Sequence, residues 1–106
     1  MEIQRHNGTL SVGAVRELTA ANARALRHEV CARIEPELNV IEIDLSESTL
    51  VDSCGLAALV SVFKEANEKE KNGGISIRLL NPQPAVRQML ELTRLHHLFE
   101  IVQSDE

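Results

Sequence analysis

The chain of 106 residues contains no tryptophan and no tyrosine, and phenylalanine occurs only twice. It therefore lacks the aromatic platforms on which bases stack, and a formal net charge of -5 opposes the counterion release that drives nucleic-acid binding. Nucleic acid is not an expected partner. Cysteine is equally scarce: Cys31 and Cys54 stand too far apart for a paired metal or redox motif, and both fall in segments with helical spacing, so they read as reduced thiols. No apolar run approaches the roughly 20 residues of a membrane span, and the opening MEIQRH lacks the basic and apolar regions of a signal peptide. The expected location is the cytoplasm, with no membrane insertion. No internal repeat, linker or cofactor motif interrupts the sequence, so no cofactor and no metal are expected.

What remains is a globular composition, 43% hydrophobic and 25% charged, sufficient for one domain spanning 1–106. MEIQRHNGTLSVG alternates polar and apolar residues around Asn7-Gly8, a dipeptide suited to a tight hairpin turn, which predicts two antiparallel strands. From Thr19 to about Ile34, Ala23, Leu26, Val30 and Ile34 recur at helical spacing, with Thr19 as the expected cap and Pro36 as the stop. Val40-Ile41-Glu42-Ile43-Asp44-Leu45 reads as a central strand covered on both faces. Leu56, Leu59, Val60 and Phe63 then predict a second helix that ends at Asn72-Gly73-Gly74. Ile75 to Leu80 is another strand, Pro84 opens a third helix through Leu95, Phe99-Glu100-Ile101-Val102 is a short last strand, and Gln103 to Glu106 should fray. The order β-β-α-β-α-β-α-β predicts an α/β domain with a mixed sheet covered by helices, its core built from Leu26, Val30, Ile41, Ile43, Leu56, Leu59, Val60, Phe63, Ile77, Leu79, Met89 and Leu90.

Chemistry concentrates at Val51-Asp52-Ser53-Cys54-Gly55-Leu56, where a loop becomes a helix. The unpaired amides and positive dipole end of such a start favour an oxygen ligand or an anion, so a phosphate on Ser53 would be stabilised there. The commoner job of Asp52 or Ser53 at this position is simply to cap the helix. On a helical wheel Leu56, Leu59, Val60, Phe63 and Ala66 share one arc, while Ala57, Ala58, Ser61 and Val62 fill the rest of the first two turns with almost no charge. That low-charge side is either a docking patch or a surface covered by neighbouring loops. A hydrolase using Ser53 or Cys54 would need His28, His96 or His97 within reach as a base, and nothing resembles Gly-x-Ser-x-Gly. His96 and His97 are adjacent and point about 100° apart on a helix, a poor metal chelate.

Asp52-Ser53-Cys54-Gly55-Leu56 resembles the Asp-Ser-Ser/Thr/Cys-Gly-Leu motif of the STAS domain, the sulfate-transporter and anti-sigma-factor-antagonist family. Val40 to Ser46 is similar to that family's central strand, and Pro84 to Thr93 followed by Leu98 to Ile101 is similar to its C-terminal helix and tail. The resemblance implies a bacterial anti-sigma factor antagonist, the substrate of an enzyme and not an enzyme. Ser53 would be phosphorylated by a partner that is both anti-sigma factor and serine kinase. The unphosphorylated form would bind that partner, and a phosphoserine phosphatase would restore it. The implied partner surface is Asp44, Asp52, Ser53, Cys54, Gly55 and Leu56, extended along the low-charge side by Ala58, Ser61 and Val62. The family often reads Gly-Glu-Leu-Asp after its second strand, where this chain has Gly13-Ala14-Val15-Arg16. That charge reversal keeps open a second reading, a STAS scaffold that works without phosphorylation. Oligomeric state is left open by the sequence.

Overall fold

The computed structural model describes residues 1–69 and 74–104. Strands β1 (Glu2–His6) and β2 (Thr9–Gly13) form the expected hairpin, with Asn7 at φ 55° in the turn. Between them and the last strand come β3 (Glu17–Leu18), α1 (Ala23–Cys31), β4 (Val40–Asp44), β5 (Leu50–Val51), α2 (Ser53–Lys69), β6 (Ser76–Leu80) and α3 (Pro84–Leu92). A 3-10 turn at Leu95–His97 leads into β7 (Glu100–Val102). The main sheet has the order β1-β2-β4-β6-β7, antiparallel only at the hairpin, so each of α1, α2 and α3 is a crossover between parallel neighbours. The α/β class and mixed sheet expected from the sequence are thus present.

The β4 strand is covered on one face, not two. Ile41 and Ile43 are fully buried beside Leu10, Val12, Ile77 and Leu79, whereas Glu42 and Asp44 alternate onto a polar face. There Arg78 reaches across the register to both neighbours, with Nε 2.7 Å from Glu100 Oε1 and Nη1 3.6 Å from Glu42 Oε2. The β-branched run suggested a doubly covered strand, but the two acids at period 2 decide its exposure.

Other boundaries shift for local reasons. The Thr19 carbonyl accepts from the amides of Asn22 and Ala23, a turn that postpones α1 to Ala23, so Thr19 is not its cap. The third helix stops at Leu92, before Arg94 turns the chain at φ 63°. Gln103 and Ser104 are held, through Arg87 and through the Asn81 side chain respectively, while Asp105 and Glu106 lie outside the described residues. The expected helix stop at Asn72-Gly73 also lies outside them. Of the expected core, Val60, Phe63 and Met89 are only partly buried; Ala58, Val62 and Ala66 are buried on α2.

Candidate functional site

Two strands too short to read from periodicity build the site. Strands β3 and β5 pair in parallel, Glu17 with Leu50 and Leu18 with Val51, as a small second sheet. Their pairing continues past both ends: the Thr49 amide donates to Arg16 O at 3.1 Å and the Asp52 amide to Leu18 O at 2.8 Å. Leu18 is thereby pressed onto the first turn of α2. A Cβ on Gly55 would stand 1.9 Å from Leu18 O and 2.0 Å from Leu18 C, so only glycine fits beneath that backbone. Ser48, fully buried in the same loop, is satisfied by donating its Oγ–H to Val15 O.

Asp52 ties the corner together with both carboxylate oxygens. Oδ1 accepts from the Gly55 amide at 3.0 Å, capping α2, and Oδ2 accepts from the Ala20 amide at 3.1 Å, across from the lead-in to α1. The Gly55 and then the Ala20 hydrogen bond hold the Asp52 carboxyl below the usual carboxylate range. A folded-state pKa below the unfolded value means a contribution present above the unfolded pKa and lost as pH falls through the folded one. The urea midpoint should therefore drop on acidification, and Asp52→Asn, which keeps a capping oxygen without the charge, should show a smaller drop between neutral and acidic pH. Parallel curves for the two proteins would remove Asp52 from the acid response.

The motif divides cleanly. Asp52 caps, Gly55 lies under Leu18 and Leu56 is 6% exposed in the core, so these three are consumed by the fold. Ser53 and Cys54, the first two residues of α2, are exposed, and the Ser53 hydroxyl enters none of the bonds that make the corner. Along the helix the exposed arc continues from Ser53 through Ala57 and half-buried Val60 to Lys64, a spacing of three and four that the sequence already contained.

Ala58 and Val62, expected on the docking patch, are 4% and 0% exposed and belong to the core. Helix α1 packs against α2 with Ser61, Lys64 and Glu65 lining the groove between them, so the buried arc begins just beyond Ser61. Ser61 itself is half-buried at the groove edge. Asp44 joins a different surface: its Oδ1 accepts the Ser46 amide at 2.9 Å, and it shares the polar sheet face with Glu42, Ser11 and Glu2. His28 stands on α1 in the groove, and His96 and His97 stack in the 3-10 turn at 4.1 Å between ring centres. None of the three hydrogen-bonds to Ser53 or Cys54 among the described residues, so no nucleophile with its base is assembled.

The corner stands beside a mixed sheet whose parallel neighbours are joined by helical crossovers. The family model "STAS domain" matches residues 1–106, and the chain belongs to it. Its fold is shared by solved anti-sigma factor antagonists. A Thermotoga maritima protein assigned to that class is 21% identical with a TM-score of 0.80, over 98% of this chain and 86% of its own. SpoIIAA in its unphosphorylated form is 19% identical with a TM-score of 0.75, over 99% of this chain and 88% of its own. The phosphorylated form of the Bacillus SpoIIAA is 18% identical with a TM-score of 0.67, over 99% and 91%. No curated protein matches the sequence. Among the described residues no helix is long and apolar enough to cross a membrane.

Proposed function

We propose that this domain is a bacterial anti-sigma factor antagonist, cytoplasmic and without catalytic activity, that is switched by phosphorylation of Ser53. Unphosphorylated, it binds an anti-sigma factor that is also a serine kinase, through the exposed arc of Ser53, Cys54, Ala57 and Val60. Phosphorylation releases it, and a phosphoserine phosphatase resets it. One observation carries the reading: of the five motif residues, those that hold the corner are used up internally, while the serine is presented to solvent on a helix start whose amides and dipole tolerate an anion. Incubation with a cognate anti-sigma serine kinase, followed by intact mass and peptide mapping, should add one phosphate at Ser53 and none to Ser53→Ala. A phosphate elsewhere, or none, would sink the switch.

A second reading rests on exposed Arg16, a cation where the family often has an acid. In it the same arc docks constitutively in a signalling or transport assembly, and partner affinity is indifferent to the state of Ser53.

A further inference from the structure

Four of the arginines, Arg5, Arg33, Arg78 and Arg87, each face a carboxylate. Arg24, Arg27 and Lys64 have no ion-pair partner among the described residues, and all three line one groove of about 640 Å³ between α1 and α2. Glu65 and Glu68 line its α2 side, so three cations meet two acids on a chain whose formal net charge is -5. The placement of Arg24 runs against helix electrostatics. Arg24 occupies the first turn of α1 and Arg27 follows three residues later, in a helix with no acid in its first turn and no side-chain cap at Asn22. A cation in a helix's first turn is disfavoured by the dipole, so Arg24 is not there to stabilise α1, and Arg27, at mid-helix, gains nothing from either end. The Ala20 to Asp52 hydrogen bond brings the starts of α1 and α2 together, and Ser61, at the groove edge, also borders the exposed arc that begins at Ser53.

We propose that this groove docks an acidic segment of the partner protein, its carboxylates paired with Arg24, Arg27 and Lys64, so that the partner is aligned on the Ser53 arc. The proposal rests on that arc being the partner face. Unpaired surface cations on an otherwise acidic domain cost little to hold in water and gain most from an anionic ligand, which the rest of the surface repels. Two measurements separate the claims. In the first, amide chemical shifts of the whole domain are followed as a hexaglutamate peptide is added at low salt, with hexalysine as the control. Shifts from hexaglutamate should centre on Arg24, Arg27, Ser61 and Lys64, fade with added salt and disappear in Arg24→Glu/Arg27→Glu; no binding, or shifts centred elsewhere, would overturn the groove. In the second, the kinase-type partner is titrated with the unmodified domain and with the same double variant, whose circular dichroism verifies its fold. Affinity should fall about tenfold or more, with a weaker salt dependence, because two attractive contacts become repulsive. Unchanged affinity in a variant still phosphorylated at Ser53 would overturn the groove and leave the switch standing. A partner that binds neither protein would remove the switch, and the peptide titration would still decide the groove.

Discussion

Phosphorylation of Ser53 should weaken partner binding by about a hundredfold or more while leaving the domain folded. A phosphoserine adds roughly -1.5 to -2 charges at pH 7. Within the domain the first amides and dipole of α2 favour that anion by about 0.3–1 kcal/mol. The gain sits at the low end, because Asp52 already holds the Gly55 amide and adds a negative neighbour. In the complex the dianion is desolvated against a surface fitted to a hydroxyl, and an unpaired buried charge costs several kcal/mol. The second effect exceeds the first, so affinity collapses without unfolding. Ser53→Ala should bind like the unmodified protein, since the hydroxyl supports nothing in the corner, and should resist the kinase. Calorimetric titration of the partner with the three forms at one salt concentration reads all of this; equal affinities would select the constitutive scaffold.

Gly55→Ala should destabilise the fold by about 3 kcal/mol or more, at or beyond the usual upper range for overpacking. The atoms its methyl would meet are main-chain atoms of Leu18, a residue that is fully buried and tethered by the Asp52 amide and the β3–β5 pairing. Backbone held at both ends cannot step aside, so either the corner opens or α2 shifts. Two other glycines give internal controls. A Cβ on Gly13 would meet nothing within 4 Å, and Gly13→Ala should change stability by no more than about 0.5 kcal/mol. At Gly8 the obstacle is the side-chain end of Asn39, 2.3 Å away, which can move. Urea denaturation of Gly55→Ala and Gly13→Ala should separate them widely. Similar midpoints would mean that Leu18 yields and the corner is not rigid.

The large elements were legible because each carries its own period. Asn7-Gly8 marked the hairpin, Leu56, Leu59, Val60 and Phe63 marked α2, and Pro84 marked the start of α3. Strands β3 and β5 were not, because two residues have no period and their pairing joins positions 33 apart in sequence, Glu17 with Leu50. The wheel of α2 misplaced Ala58, Val62 and Val60 for a related reason: small and β-branched residues surround the first two turns, and only the packing of α1 decides which side is dry. The motif pointed to the right corner but not to its division of labour. That Asp52 spends both oxygens on amides, one of them at Ala20, depends on a contact that no local pattern encodes.

The bond from Ala20 to Asp52 spans 32 positions, and the fit of Gly55 under Leu18 closes a comparable loop. Closing such loops costs chain entropy before any contact repays it, so this surface arises only with the assembled domain and in no short stretch of it. An enzyme that engages Ser53 through its corner thus recognises a conformation. A nascent or unfolded copy offers the same five residues on a chain without the cap, the tie or the helix start. Under the proposed switch, the concentration of substrate would be the concentration of folded molecules, and a phosphate at Ser53 would be confined to copies able to act on it.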